Sequence, residues 1–442
     1  MYFLYTLLIL VFFVLVSPYF LYQAIRYKKY IGTLGQRLGY LPVSFNLDGD
    51  DSIWIHAVSV GEVLTARAIA AEFKSRYPRL RLFLSTTTIA GQQVARRDVQ
   101  GVDATFYFPF DLGFIVNRTL RLVRPRLFIM METEIWPNLL RACRRRGVRT
   151  MVINGRISAR SYPRYRLVRP LFRQVLADID RFCVQGDETR RRLIDLGVDP
   201  SRIIVTGSLK FDSLHVPARS PHGRVLRFFR VPPDRPVIIA GSTLKGEEEV
   251  VLRAFARVRR ADLRPLLVLA PRHPERFAEV ERLVAESGLS VARRTELPID
   301  ADPASDVVVL DTIGELAQLY QIATVVFVGG SLVDAGGHNI LEPAIFGRPI
   351  LFGPHMQNFA EIADAFVGGG AAVQVRSAAE LETAMPSLLA DERKRTALGA
   401  AARSIVEANR GAREKTLAAV NDVLPPSSVR PSGPVRPFRI VH

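Results

Sequence analysis

Two groups of residues in this chain have the types and spacing for chemistry. The first lies in the stretch from Phe327 to Glu361, FVGGSLVDAGGHNILEPAIFGRPILFGPHMQNFAE. An apolar run from Thr324 to Val328 enters a glycine-rich turn, and a short helix is predicted from about Asn339. Glycines let backbone N–H groups approach a phosphate and a helix start adds positive potential. Glu342, in the first turn, can accept bonds from ribose hydroxyls. This pattern predicts a nucleotide pocket. A dinucleotide fingerprint would need GxGxxG early in a domain with an acid about 20 residues on, whereas this turn is late and its carboxylate is close by. The nucleotide is therefore expected to be a sugar donor's leaving group.

The second group consists of polar clusters where other apolar runs end. They are Ser59 to Glu62, Glu132 to Pro137, Gly155 to Ser158, Gly207 to Lys210, Gly241 to Thr243, Ala270 to Pro274 and Asp311 to Glu315. Each carboxylate also has a plain use, since Glu62, Glu132 and Glu134 can complement a helix N-terminus for about 0.3–1 kcal/mol. Lys210 by itself reads as a solvated lysine. His56, His273, His338 and His355 match no metal-ligand spacing and read as hydrogen-bonding groups. Asp178-Ile179-Asp180 resembles the metal-binding DxD of one sugar-transferase class, but it precedes a strand instead of ending one. No metal and no cofactor is expected.

For these clusters to meet, the apolar runs must lie side by side. Strands are predicted at Ile53 to Ala57, Leu80 to Ser85, Ala104 to Phe108, Arg126 to Met131, Thr150 to Asn154, Arg181 to Val184 and Arg202 to Thr206. Helical patterns fill the gaps, for instance Glu62 to Arg76 and Pro137 to Arg146. A second series begins at Val237 to Ala240 and continues with Leu266 to Ala270, Val307 to Leu310, Thr324 to Val328, Pro349 to Phe352 and Ala371 to Gln374. Such βα alternation argues α/β architecture with doubly wound parallel sheets, whose ligands bind beyond the carboxyl ends of the strands. The expected division is residues 31–207 for a first domain, 208–234 for a connection and 235–423 for a second domain. Residues 424–442 form a Pro-rich tail, expected to be disordered or loosely packed.

Bulk properties narrow the partners. Lys and Arg number 60 against 43 Asp and Glu, a net charge of +17. That suits an anionic partner, yet no nucleic-acid-binding motif is present, and an anionic membrane surface or phosphorylated lipid accounts for it better. Tyr2 to Ile25 is apolar and followed by Arg26, Lys28, Lys29 and Arg37, which predicts a single transmembrane anchor at residues 2–25 with the bulk of the chain cytoplasmic. A signal peptide is a second reading. Pro18 and Gln23 leave a third, a helix lying in the membrane interface. Arg160 to Val175 interleaves five arginines with apolar residues, fitting either a lipid surface or an ordinary surface helix. The two cysteines, Cys143 and Cys183, imply neither a disulfide framework nor a zinc site.

Taken together, HAVSVGE (His56 to Glu62), METEIWPN (Met131 to Asn138), NGRIS (Asn154 to Ser158), GSLKFD (Gly207 to Asp212), APRHPERF (Ala270 to Phe277), DTIGEL (Asp311 to Leu316) and GGHNILE (Gly336 to Glu342) closely resemble the Kdo transferases. Those enzymes attach 3-deoxy-D-manno-octulosonic acid (Kdo) to lipid A. The resemblance implies a GT-B fold of two Rossmann-like domains, an acceptor-binding one followed by a nucleotide-sugar-binding one. It implies CMP-Kdo as donor and a lipid A precursor as acceptor, in lipopolysaccharide synthesis at the cell inner membrane. By the match, Glu62 is the general base, and Glu132 and Lys210 support the transition state. Pro271, Arg272, Ile313, Gly314, Glu315, Asn339, Ile340, Leu341 and Glu342 line the CMP site. The implied reaction inverts configuration and needs no metal. Rival readings are a GT-B envelope enzyme using a UDP-sugar, a non-catalytic membrane-anchored sugar-nucleotide binder, and a nucleic-acid-binding module.

Overall fold

The computed structural model describes residues 2–27, 31–158, 161–212, 225–259 and 264–425. It divides into two units, Met1–Ser213 with Arg410–His442, and Leu214–Asn409. The tail from residue 426, most of the connection (213–224) and Arg160 lie outside the described residues.

The first unit is built on seven parallel strands: β1 (Ser52–His56), β2 (Arg81–Thr86), β3 (Ala104–Tyr107), β4 (Pro125–Met131), β5 (Arg149–Gly155), β6 (Arg181–Val184) and β7 (Ile203–Val205). Their spatial order is β3-β2-β1-β4-β5-β6-β7. All seven expected strands are present, within a residue or two at each end. Central strands are buried on both faces, which is why they read as continuous apolar runs instead of alternating ones. Val63, Ala66, Ile69 and Phe73 of the helix Val60–Arg76 cover one face, together with Leu417 and Val420 of the helix Ala412–Val423. Val116, Leu120, Leu139, Leu140 and Leu176 cover the other. The chain order reverses between β1 and β4, so the carboxyl ends of these two strands flank the crevice where a doubly wound sheet binds ligands.

Helix Ala412–Val423, expected in the second domain, packs in the first unit. Gly411 and Arg413 donate their N–H groups to Asp212 at 3.0 and 2.7 Å. The Tyr77 hydroxyl reaches Asn421 Oδ1 at 2.9 Å and the Leu424 carbonyl at 2.7 Å.

The second unit repeats the architecture with β8 (Val237–Thr243), β9 (Leu266–Pro271), β10 (Val291–Arg293), β11 (Val307–Val309), β12 (Val325–Val328), β13 (Ile350–Phe352) and β14 (Val373–Gln374). The order is β10-β11-β9-β8-β12-β13-β14, all parallel, with the reversal between β8 and β12. Six of these strands were expected. β10 was not, because its three half-buried residues, Val-Ala-Arg, form no apolar run. The described part of the connection packs on this unit, with Arg230 paired to Asp300 at 3.1 Å and Arg294 3.5 Å over the Phe228 ring.

The N-terminal segment is not shown to be a membrane anchor. Tyr2–Tyr27 is helical, but among the described residues no helix is long and apolar enough to cross a membrane. One edge of the helix is instead fastened to the first unit by polar contacts. Tyr2 donates to Asp178 (2.7 Å), Tyr5 donates to Asp111 (3.0 Å), and Thr6 pairs with the Asn138 amide (3.0 Å). Phe13 packs edge-on against Phe110 at 4.6 Å. The other face carries Phe3, Leu4, Leu8, Phe12 and Leu15, each more than half exposed. Asp111 also accepts from the N–H groups of Asn138 and Leu139. It thereby caps the helix Pro137–Arg145, whose own N-cap residue, Trp136, has no capping side chain. The arginine-rich stretch is two short helices, Tyr162–Leu167 and Arg169–Leu176, broken next to Pro170. Tyr165, Phe172 and Val175 face the core, while Leu167 is 84% exposed.

Candidate functional site

In the first unit the candidate residues converge on the reversal between β1 and β4. After β1 the chain turns into helix Val60–Arg76 through Ser59, whose hydroxyl donates to Glu62 Oε1 at 2.9 Å. Glu62 Oε2 accepts from the Val58 N–H at 2.8 Å. This is a reciprocal cap, so the plain use of Glu62 is real. Capping alone does not account for its electrostatics. Glu62 is only 8% exposed, and burial pushes its carboxyl up to about 7, with repulsion from Glu132 and Glu134 adding to the effect. Glu134, at the end of the neighbouring strand, is likewise pushed up to about 7, by burial and then by Glu132. Glu62, Glu132 and Glu134 are therefore near neighbours, and two of them hold or release a proton near neutrality.

Backbone geometry at the strand ends supports this. Glu132 and Asn154 follow or end adjacent strands with φ of 55° and 54°, a left-handed conformation that non-glycine residues rarely adopt. The Glu132 N–H continues the ladder to the Ile153 carbonyl at 3.0 Å. Asn154 Oδ1 accepts from the Leu209 N–H at 3.0 Å, drawing the loop that carries Lys210 back to β5. Below this edge His56 stacks on Phe108 at 3.7 Å, with Nδ1 3.0 Å from the Ser85 hydroxyl. Burial lowers it to about 3, so it is a neutral floor residue. Asp178 and Asp180 have structural partners, Arg144 at 3.0 Å and Arg149 at 3.1 Å. Among the described residues no three His, Cys, Asp or Glu side chains are grouped to hold a metal ion.

In the second unit the structure brings Arg272, His338, Asn339 and Glu342 together. Arg272 follows β9, its N–H bonded to the Thr243 carbonyl at 3.0 Å. Glu342 lies in the first turn of the short helix Leu341–Ala344, and Asn339 Nδ2 donates to its Oε1 at 3.1 Å. Burial raises the Glu342 carboxyl, while Asn339 and Arg272 oppose the rise. His338 is pushed down to about 4 by burial and the nearby Arg272 and His273. Ile340 and Leu341 are wholly buried and shape the loop from below. Pro271 ends β9. Ile313 and Gly314 form an exposed tip after β11, with Gly314 at φ 90°. Glu315 is already engaged, by Arg294 at 2.8 Å and the Thr312 hydroxyl at 2.7 Å.

The glycine turn departs from expectation. The N–H groups of Gly330, Ser331 and Leu332 do not face open space. They donate to the carboxylate of Glu247 at 2.7, 3.0 and 2.9 Å. Glu247 was not among the candidates. The available signal was its place, early in the helix after the first strand of its sheet, as Glu62 is in the first sheet.

Two Rossmann-like units with these strand-end clusters define a GT-B glycosyltransferase. Residues 234–405 match the family described as glycosyl transferases group 1, and residues 32–213 match 3-deoxy-D-manno-octulosonic-acid transferase (kdotransferase). The UDP-GlcNAc 2-epimerase of Neisseria meningitidis superposes with a TM-score of 0.56 over 84% of this chain and 100% of its own, at 12% identity, a likeness of fold alone. The 3-deoxy-D-manno-octulosonic acid transferase of Haemophilus influenzae is 33% identical over 94% of this chain and 97% of its own length. That of Bordetella pertussis is 35% identical over 84% and 87%. The chain belongs to the Kdo transferase family.

Proposed function

We propose that this enzyme transfers Kdo from CMP-Kdo to a lipid A precursor, with inversion and without a metal. The observation that carries the reading is Glu62, a nearly buried carboxylate poised near neutrality at the strand-order reversal of the first sheet. Glu62 takes the proton of an acceptor sugar hydroxyl as that oxygen bonds to the anomeric carbon of Kdo. The bond from that carbon to the phosphate oxygen breaks on the opposite face, and CMP departs with the electron pair. Glu132 and Lys210 stabilise the charge that develops. In the second unit Glu342 and Asn339 take the ribose, Arg272 the phosphate, and Pro271, Ile313, Gly314, Glu315, Ile340 and Leu341 line the nucleotide. CMP leaves as a phosphate monoester, whose charge one arginine and backbone dipoles can offset.

Mass spectrometry of products from CMP-Kdo and a bisphosphorylated lipid A precursor tests the reaction. A mass increase of whole Kdo units is expected. Transfer from UDP-sugars but not from CMP-Kdo would favour the rival envelope enzyme.

We further propose that the chain works on the cytoplasmic face of the inner membrane, with helix Tyr2–Tyr27 lying along the lipid surface. Its bonded edge holds the first unit and its exposed apolar face enters the interface. Full-length enzyme should float with vesicles containing anionic lipid, and the combined change Leu4→Glu, Leu8→Glu and Leu15→Glu should abolish flotation. Equal flotation of both proteins would place the contact elsewhere.

A further inference from the structure

At the strand-order reversal of the second sheet, the crevice is occupied from within. Glu247 is fully buried in the first turn of the helix Glu247–Arg259 and accepts four backbone bonds, the fourth from Leu244 at 2.9 Å. Successive N–H groups curled around an anion form a nest that elsewhere receives a phosphate. Here the anion is a side chain of the protein itself. Its counterpart Glu62 accepts a single backbone bond and faces a cluster of carboxylates, so equivalent places in the two sheets have opposite chemistry.

The turn that Glu247 fills bears directly on the donor residues. Gly337 donates to the Gly330 carbonyl at 2.8 Å. His338 packs so closely on Gly330 that a Cβ there would lie 2.8 Å from its ring. Gly329 is equally constrained, since a Cβ would come within 2.9 Å of Glu247 Oε2. Asn339 and Glu342 follow immediately.

We infer that Glu247 is a positioning residue for donor binding, an internal anion that fixes the turn at 329–332 and, through Gly330, the loop presenting His338, Asn339 and Glu342. The donor phosphate is consequently met by side chains such as Arg272, not by the amides of this turn. The inference rests on the reading of the second unit as the donor site.

The test uses full-length enzyme and compares Glu247→Gln and Glu247→Ala with the native protein. Gln directs an NH2 group at N–H donors, and Ala leaves four buried amides unpaired. In both, KM for CMP-Kdo should rise about tenfold or more, the scale of losing a bond to a charged acceptor. KM for the lipid acceptor should stay unchanged, and formate or acetate should partly restore donor KM in Glu247→Ala by refilling the nest. A folded Glu247→Gln enzyme with native donor KM overturns the inference, as does equal loss of donor and acceptor parameters without carboxylate rescue. Should neither variant fold, hydrogen exchange of the native enzyme decides. The amides of residues 330–332 must be protected before CMP is added, and exchange that slows only on CMP binding refutes an internal anion. Arg272→Ala and Glu342→Ala report separately on the donor site. If they weaken CMP binding while Glu247→Gln does not, only the role of Glu247 fails.

Discussion

Glu62→Gln is expected to lower turnover by about 10²–10⁴-fold, the usual worth of a general base, with CMP affinity nearly unchanged. Gln keeps the volume and one acceptor oxygen for the Val58 N–H, so the start of helix Val60–Arg76 survives, but it cannot take a proton. A residue that only capped the helix would show the reverse pattern, a loss of about 0.3–1 kcal/mol in stability and near-normal turnover. Retention of more than about a tenth of the native rate would remove Glu62 as the base, since that lies below the low end of base catalysis. Glu132 would then be the next residue to change.

As the proposed base, the same carboxylate should make activity and stability depend on pH with opposite sign. Glu62 must be ionised to accept a proton, so turnover should rise as pH passes about 7. Its folded-state value is raised above the ordinary 4.5, which means the native state holds the proton more tightly than the unfolded chain does. The stability linked to that proton is fully present below about 4.5 and is lost as pH climbs through about 7. Glu134 follows the same rule. Thermal unfolding of Glu62→Gln should therefore exceed that of the native enzyme on the alkaline side of this window and converge with it on the acid side. A pH-independent offset would mean that Glu62 does not change its proton affinity on folding.

What could be read from sequence follows from how each element is stabilised. Central parallel strands are buried on both faces, so β1, β4, β8 and β12 announce themselves as apolar runs and carry their terminal clusters with them. That is why Glu62, Glu132 and Arg272 could be placed at strand ends. β10 is half-buried at a sheet edge and has no such run. Helix Ala412–Val423 has an apolar face that suits either sheet, and only Asp212 and Tyr77, far away in sequence, decide which it joins. Composition marks the N-terminal helix as apolar but does not reveal that Tyr2, Tyr5 and Thr6 find partners more than a hundred residues away. The glycine turn has the composition of a phosphate loop, but whether its amides await a ligand depends on Glu247, more than eighty residues earlier.

At the donor site, Glu342→Ala and Arg272→Ala should each weaken CMP binding by about 1–3 kcal/mol, the range for losing a hydrogen bond to a charged group. The two should differ in character. Glu342 is held by Asn339 and half-buried, so its loss removes a fixed acceptor and should weaken cytidine and CMP alike. Arg272 is exposed at the end of β9 and would act on the phosphate, so its loss should weaken CMP while leaving cytidine untouched, with an effect that shrinks as salt is added. Calorimetric titration with CMP and with cytidine separates these outcomes. Unchanged CMP affinity in both variants would move the nucleotide away from this loop and leave the glycine turn as a tight connection held by Glu247. Equal losses for cytidine and CMP in Arg272→Ala would assign that side chain to the nucleoside instead of the phosphate.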